Sequence, residues 1–152
     1  MNVLVVNGPN LNLLGEREPA IYGSTTLAEL ESAVAAHART LGMAVRFFQS
    51  NHEGAIIDEL HAQRRWASAV VINPGAFTHY SYAIRDALAA IAIPAAEVHL
   101  SDIDAREDFR KVSVVRDVCA HRFAGRGVQS YLDALNAFAA SPPSAPENRE
   151  RA

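Results

Sequence analysis

Residues 1–10 read MNVLVVNGPN, and they begin the alternation of apolar segments that decides the fold. The apolar run at residues 3–6 is followed by Asn7, Gly8 and Pro9, which are typical turn residues. This pattern predicts a buried strand and a turn, and it lacks the basic segment that precedes the apolar core of a signal peptide. Because no apolar run in the sequence approaches the roughly 20 residues of a membrane span, no transmembrane segment is expected.

Outward from this strand, short β-branched runs alternate with longer amphipathic segments. Strands are predicted at residues 3–6, 45–49, 70–72 and 94–98, with a fifth within 118–124, and helices at 27–41, 56–66, 80–90 and 128–140. This βαβ rhythm predicts an α/β fold with a parallel sheet covered by helices on both faces. Thr26 and Glu29 have the spacing of a capping box that begins the first helix, and Gly42 would end it.

Composition limits the classes of partner. The chain has 152 residues, of which 49% are hydrophobic, enough for a single domain, expected over residues 1–140. Its net charge of −3 provides no basic field for nucleic acid or a membrane surface. The single cysteine, Cys119, excludes an internal disulfide and favours a reducing compartment, so we expect a cytoplasmic protein. Residues 141–152, rich in proline and polar residues, predict a disordered tail.

In parallel sheets of this kind, ligands bind beyond the carboxyl ends of the strands, where most of the unusual polar residues fall. Residues 7–23, NGPNLNLLGEREPAIYG, form a long connection before the first helix. Connections longer than about 12 to 15 residues are uncommon unless they act as lids or binding loops. One interpretation is a lid in which Arg17 and Tyr22 close over a ligand, and the other is a surface loop.

Two further groups carry candidate chemistry. Glu97 and His99 are two residues apart on the fourth strand, so both side chains lie on one face. A carboxylate beside an imidazole orients the ring and favours its protonated form, as a general acid requires, although a purely structural pair is the alternative. Arg106 and Arg110 suit carboxylate or hydroxyl recognition, or they form surface ion pairs with acidic neighbours.

Residues 73–81, NPGAFTHYS, combine a polar strand end, a tight turn and a helix start, which fits either an anion site or an ordinary turn with a helix cap. The sequence has no GxGxxG after the first strand, no GxxxxGK[ST] and no HExxH. Dinucleotide, P-loop and zincin functions therefore lack support.

Four blocks of sequence together resemble the type II 3-dehydroquinate dehydratases, in order and in spacing, over residues 2–138. The blocks are NGPNLNLLGEREPAIYG (7–23), QSNHEG (49–54), INPGAFTHYSYAIRDAL (72–88) and EVHLSDIDAREDFR (97–110). The resemblance implies a flavodoxin-like fold with a five-stranded parallel sheet and a dodecamer built from trimers. It also implies that the chain removes water from 3-dehydroquinate through an enolate, with no cofactor and no metal.

The resemblance also implies roles for particular residues. Catalytic roles fall on Tyr22 as base, Arg17 as its lid partner, Asn10 as holder of a water at the oxyanion, His99 as acid and Glu97 behind it. Substrate contacts fall on Asn73, His79, Arg110 and the backbone of Leu100 and Ser101, and Asp86 would reach a neighbouring active site. Since an ordinary tyrosine has a pKa near 10, keeping it ionised at pH 7 costs about 4 kcal/mol, which Arg17 and the supporting Arg106 would offset.

Four positions depart from the family pattern: Asp102, where asparagine is common, Asp104, where histidine or another residue is more usual, and Arg126 and Ser130 near the C-terminus. Asp102 would add negative charge near the carboxylate pocket.

Two other functions remain open from the residues alone. One is a flavodoxin-like module that binds flavin or phosphate, and the other is a metal site of His79, His99 and Asp102. The second dehydroquinase class, a β/α barrel that uses a Schiff-base lysine, is disfavoured by the short chain and its single lysine, Lys111. Biosynthetic and catabolic enzymes use the same reaction, so the residues do not separate the two pathways.

Overall fold

The structure is a computed structural model that describes residues 1–16 and 18–143, with Tyr22 described by its backbone alone. Arg17 and most of the predicted tail, residues 144–152, lie outside the described residues. The strands are β1 (Asn2–Asn7), β2 (Ala44–Gln49), β3 (Ala69–Asn73), β4 (Ala95–Val98) and β5 (His121–Phe123). The α-helices are α1 (Pro19–Tyr22), α2 (Leu27–Thr40), α3 (Glu53–Gln63), α4 (Tyr82–Ile91) and α5 (Gln129–Ala140).

All five strands form one parallel sheet in the order β2-β1-β3-β4-β5. This is the flavodoxin-like order of a doubly wound sheet, and it confirms the predicted α/β fold. The strand order reverses between β1 and β3, where Asn7 and Asn73 are register partners. Ligand sites in doubly wound sheets form at such a reversal, beyond the carboxyl ends of the strands.

The sheet separates two apolar cores. Along β1, Val3 and Val5 pack into the core that contains side chains of α2 and α5. Leu4 and Val6 pack into the opposite core, with α3 and α4. Burying each such side chain stabilises the fold by about 1.5–3 kcal/mol, and burial on both faces explains why the strand is apolar at every position.

The first long helix begins and ends where the sequence predicts. The Thr26 N–H donates to Glu29 Oε2 at 2.8 Å, and the Glu29 N–H donates to Thr26 Oγ1 at 3.2 Å, which forms the complete capping box. The helix ends at Thr40, and Gly42 adopts a left-handed φ of 68° just beyond it. These two local signals set the bounds of α2 to within one residue.

Other predicted bounds were wrong by a few residues. Helix α3 occupies Glu53–Gln63 rather than 56–66. Trp66 lies beyond the helix, and the Arg46 guanidinium lies 4.1 Å from the centroid of its ring. Helix α4 begins at Tyr82 rather than residue 80, because Ser81 Oγ accepts the Ile84 N–H at 3.1 Å and so caps the helix.

The fifth strand was predicted within residues 118–124 and spans His121–Phe123, since the 3-10 helix Arg116–Val118 occupies the start of that range. Among the described helices, none has the length and apolar character needed to cross a membrane.

Candidate active site

The turns that follow β1 and β3 pack against each other backbone to backbone. A Cβ atom on Gly8 would lie 2.4 Å from the Pro74 carbonyl oxygen, and one on Gly75 would lie 3.1 Å from the Pro9 carbonyl oxygen. Only glycine fits at Gly8, because any side chain would collide with backbone that has no room to move. This close approach brings the Asn10 turn beside Asn73 at the carboxyl edge of the sheet.

Asn10 sits in a turn held by Gln49, the last residue of β2, and by Asn51 just beyond it. Its backbone is left-handed, with φ 68°, a conformation that asparagine tolerates better than most residues. The Asn10 N–H donates to Asn51 Oδ1 at 2.9 Å, and Gln49 Nε2 donates to the same oxygen at 3.1 Å and to the Gly8 carbonyl at 3.2 Å. No role was predicted for Gln49 and Asn51 from the sequence, although their position at the carboxyl end of β2 made them candidates for the site.

The same turn argues against a phosphate-binding loop. The Gly8 N–H donates to the Asn73 carbonyl at 2.8 Å, the Asn10 N–H to Asn51, and the Leu11 N–H to the Gly8 carbonyl at 3.4 Å. Pro9 has no N–H to offer. Because the backbone donors of this turn are used within the protein, the flavin- or phosphate-binding alternative loses its main structural requirement.

Glu97 and His99 form a buried pair at the exit of β4. His99 Nε2 lies 2.7 Å from Glu97 Oε1, and the exposed fractions of the two residues are 4% and 0%. Ser113 Oγ donates to the other carboxylate oxygen, Oε2, at 2.9 Å. The carboxylate thus accepts on both oxygens, which places a proton on His99 Nε2 and leaves Nδ1 for a ligand. The role of Ser113 was missed, because it lies 16 residues from Glu97 with no local pattern linking them.

One of the positions predicted to depart from the family pattern, Asp104, lies beside this pair. Arg122 reaches Asp104 through both terminal nitrogens, at 3.3 to 3.4 Å. Its Nε atom lies 4.0 Å from Glu97 Oε1. Asp104 therefore holds a guanidinium that also faces the buried carboxylate.

The other three positions predicted to depart from that pattern make local contacts. Asp102 caps the 3-10 helix Ile103–Ala105 by accepting the Asp104 N–H at 3.1 Å. The Arg126 N–H donates to Ser130 Oγ at 3.2 Å, and the Arg126 guanidinium pairs with Asp133. The Asp102 contact stabilises the loop that follows β4, and the two Arg126 contacts stabilise the loop that follows β5 and its junction with α5.

His79 lies in the 3-10 helix Gly75–His79 with one ring nitrogen engaged. Nδ1 lies 2.6 Å from the Val112 carbonyl oxygen, and the ring meets Phe109 edge to face at 5.6 Å. Burial lowers the pKa of His79, the Val112 carbonyl partly opposes this, and the charge of Arg110 lowers it further. The neutral ring donates through Nδ1 to the carbonyl, so Nε2 is left as an acceptor for a ligand hydroxyl.

Arg106 and Arg110 share the carboxylate of Glu107. Arg110 Nε donates to Glu107 Oε2 at 2.7 Å, and Arg106 Nε lies 3.8 Å from the same oxygen. The Glu107 backbone N–H and then the Arg110 guanidinium lower the pKa of the Glu107 carboxyl. Asp108 instead pairs with Lys111 at 2.9 Å. The arrangement keeps two cations at Glu107, and the charge of one of them, Arg110, also acts on His79.

Helix α1 lies beside the loop that follows β4. Ile21 and Gly23, which flank Tyr22, line a cavity of about 340 Å³ together with Leu100 and Val128. The Leu100 carbonyl accepts the Gly127 N–H at 3.0 Å, which fixes this loop. The backbone of Tyr22 therefore lies close to the segment 100–101 that was predicted to receive a carboxylate. The side chains of Arg17 and Tyr22 lie outside the described residues, and the lid stays a prediction.

Asp86 is paired with its neighbour on α4. Its side chain is 76% exposed on α4, and its carboxylate lies 3.4 Å from Arg85. Within its own chain Asp86 is a surface residue.

No metal site is formed from the residues that the structure describes: no three His, Cys, Asp or Glu side chains among them lie close enough to hold an ion. His79, His99 and Asp102 are thus not arranged as ligands. Cys119 is half-buried, and burial raises the pKa of its thiol to about 12, which keeps it protonated.

Comparisons with known proteins point to one family. The model of the family described as Dehydroquinase class II matches residues 1–139. A 3-dehydroquinate dehydratase from Pelotomaculum thermopropionicum is 56% identical over 140 residues, which cover 92% of this chain and 97% of that protein. A catabolic 3-dehydroquinase 1 from Neosartorya fischeri is 54% identical over 134 residues, covering 88% of this chain and 89% of that protein.

Solved structures agree with this result. The crystal structure of the type II dehydroquinase from Butyrivibrio crossotus superposes with a TM-score of 0.88 at 45% identity, covering 90% of this chain and 96% of that one. The type II dehydroquinase from Propionibacterium acnes gives the same TM-score, 0.88, at 42% identity, covering 92% and 97%. With identities of this size across nearly the whole chain, this protein belongs to the class II dehydroquinase family.

Proposed function

We propose that this chain eliminates water from 3-dehydroquinate to give 3-dehydroshikimate, through an enolate and without a cofactor. The observation that carries the proposal is the buried Glu97–His99 pair, which opens at the carboxyl edge of the sheet with one imidazole nitrogen uncommitted to the carboxylate. Membership of the family supplies the substrate, and this pair supplies an acid for the departing hydroxyl.

The first step removes the proton alpha to the ketone. We assign it to the Tyr22 phenolate, on helix α1 beside the Leu100 loop, with Arg17 and Arg106 as the cations that favour its ionised form. The electrons of the broken C–H bond move onto the ketone oxygen and give the enolate. A water held by Asn10 would stabilise that oxyanion, a contact worth on the order of 3 kcal/mol.

The second step expels the hydroxyl group. The enolate electrons return to form the carbon–carbon double bond, and the C–O bond breaks as a proton from His99 Nδ1 makes the leaving group water. Glu97 Oε1 accepts a hydrogen bond from the opposite ring nitrogen, Nε2, at 2.7 Å, and the carboxylate stabilises the imidazolium before the proton is transferred. Each step moves one proton between substrate and protein, so Tyr22 and His99 must exchange protons with solvent before the next turnover.

The remaining residues would bind the substrate. Asn73, His79 and Arg110 would contact its hydroxyl groups, and the backbone N–H groups of Leu100 and Ser101 would receive its carboxylate. The acceptor left at His79 Nε2 supports a hydroxyl contact, since the Val112 carbonyl occupies the other nitrogen at 2.6 Å.

Turnover is followed by the ultraviolet absorbance of the conjugated enone product after adding 3-dehydroquinate, with and without a chelator. We expect chelator-insensitive turnover and no covalent adduct when borohydride is present, since an enolate route forms no Schiff base at Lys111. No turnover by folded, assembled protein would contradict the proposed activity, and a borohydride-trapped adduct would contradict the enolate route.

The Asn10 turn gives a first prediction. Asn51→Ala removes the acceptor of the Asn10 N–H and loosens the left-handed turn, so kcat should fall about tenfold while KM changes little. Asn136→Ala is the matched control, because Asn136 Oδ1 binds His37 Nε2 at 2.7 Å between α5 and α2, away from this edge. An unchanged kcat in Asn51→Ala would show that the turn needs no support from Asn51.

We further propose that the chain works in the cytoplasm as a homo-oligomer, a dodecamer of trimers, in which Asp86 completes a neighbouring active site. Asp86 and the 66%-exposed Tyr82 are four residues apart, so they share one face of α4. An exposed aromatic beside a carboxylate on one helix face suits an interface.

Mixing two impaired variants tests this sharing. Asp86→Ala should lower kcat/KM about tenfold, and His99→Gln should lower it further. Co-assembled one to one, the variants should recover about a quarter of wild-type activity, since that fraction of sites pairs an intact His99 with a neighbour's intact Asp86. Activity no greater than the average of the two separate variants would contradict a shared site.

A further inference from the structure

A buried tyrosine joins the two strand ends at the reversal of strand order. Tyr131, on α5, has an exposed fraction of 0%. Its hydroxyl oxygen lies 2.7 Å from Asn7 Oδ1 and 3.0 Å from Asn73 Nδ2. Asn7 and Asn73 are register partners on β1 and β3, so one hydroxyl group from helix α5 connects the two strand ends.

Counting donors fixes the direction of each hydrogen bond. The phenol has one proton and donates it to Asn7 Oδ1, so it accepts from the Asn73 amide. Burial raises the pKa of Tyr131 well above its usual value, which keeps this proton in place. On its other side, Asn73 Oδ1 accepts the Gly75 N–H at 3.2 Å. A flip of the Asn73 amide would therefore lose both hydrogen bonds. It would place the Nδ2 donor against the Gly75 N–H and the Oδ1 acceptor against the phenol oxygen.

These contacts leave Asn73 one N–H and one lone pair for a ligand, both in a fixed orientation. Asn7 has no such second anchor, since its Nδ2 is buried without a hydrogen-bond partner among the described residues. The orientation of Asn73 thus depends on Tyr131 from behind and on Gly75 from the adjacent turn.

We infer that Tyr131 is a positioning residue that sets the Asn73 amide for substrate binding from the far side of the sheet edge. The inference rests on the proposed contact between Asn73 and 3-dehydroquinate. Tyr131 itself touches no substrate, so its effect must pass through Asn73.

The test is Tyr131→Phe, which removes one oxygen atom. KM for 3-dehydroquinate should rise about tenfold with kcat changed less than about threefold, because a misoriented Asn73 weakens binding rather than proton transfer. Phe138→Leu is the matched control: it lies on α5 in the same apolar core and should lower the Tm without changing KM. A rise in KM for Phe138→Leu equal to that of Tyr131→Phe would reduce the effect to lost stability and overturn the inference.

The decisive measurement is the same substitution in an Asn73→Ala background. Tyr131→Phe should then have no further effect on KM, because its only route to substrate is gone. If the effects of the two substitutions on KM multiply independently, the role of Tyr131 is overturned and the proposed substrate contact of Asn73 still stands. An unchanged KM in Asn73→Ala itself would overturn the proposed substrate contact together with the inference that rests on it.

Asn7→Ala provides a second route should Tyr131→Phe fail to fold. It removes the acceptor of the phenol proton, so the hydroxyl can turn that proton toward Asn73 and compete with the amide donor. KM should rise about threefold. An unchanged KM would overturn the inference.

Discussion

Tyr22→Phe is expected to lower kcat about 10³-fold, with little change in KM. The substitution removes one hydroxyl group and with it the proposed base, so the proton alpha to the ketone has no acceptor at the right place. General-base catalysis contributes about 10² to 10⁴ in rate, and an enolate cannot form without this step. The measurement is the rate of enone formation at saturating 3-dehydroquinate.

Tyr80→Phe is the matched control for this prediction. Tyr80 is 60% exposed and meets Phe77 edge to face at 5.7 Å, so its hydroxyl group has no part in the proposed reaction. The control should retain wild-type kcat. A Tyr22→Phe protein that turns over at a rate similar to that of Tyr80→Phe would remove Tyr22 from the chemistry.

His99→Gln is the second prediction with a large expected effect, a fall in kcat of about 10²- to 10³-fold. Glutamine can still hydrogen-bond to Glu97 but cannot deliver a proton to the departing hydroxyl. Glu97→Gln should cause a smaller loss, because His99 keeps its ring while the buried carboxylate that stabilises the imidazolium is gone.

His61→Gln serves as the control for the loss of an imidazole, since His61 is exposed in the last turn of α3. It should leave kcat unchanged. Glu97→Gln with full activity would mean that the buried pair stabilises the fold only, which is the structural alternative that an isolated Glu-x-His pattern always allows.

The sequence predicted those parts of the site that depend on local geometry. Glu97 and His99 follow from the two-residue period of a strand, and the polar ends of β1 and β3 follow from the rule that parallel strands present their carboxyl ends at one edge. Both patterns extend over only a few residues, so they can be recognised without any knowledge of tertiary contacts.

The supporting residues could not be predicted in this way. Tyr131 lies 124 residues from Asn7 and 58 from Asn73, and its aromatic ring has the spacing of an ordinary core residue on α5. Ser113 resembles any loop serine until the fold places it against Glu97. Such partners are set by long-range packing, and single-sequence patterns carry no signal for it.

A third group of residues depends on resemblance. Tyr22 and Arg17 lie on a connection whose length alone suggests a lid, and Asp86 is an exposed helix residue within its own chain. Their proposed roles come from matched positions in related proteins, so the variants described above are needed to establish them.

Proton exchange at the carbon alpha to the ketone tests the division of labour between Tyr22 and His99 most directly. In deuterated water, His99→Gln should introduce deuterium into the remaining 3-dehydroquinate while forming little enone, because the base still forms and reprotonates the enolate. Tyr22→Phe should do neither beyond the rate without enzyme. Deuterium uptake by Tyr22→Phe, or enone formation by His99→Gln at the wild-type rate, would contradict an elimination divided between a lid tyrosine and a strand-end histidine.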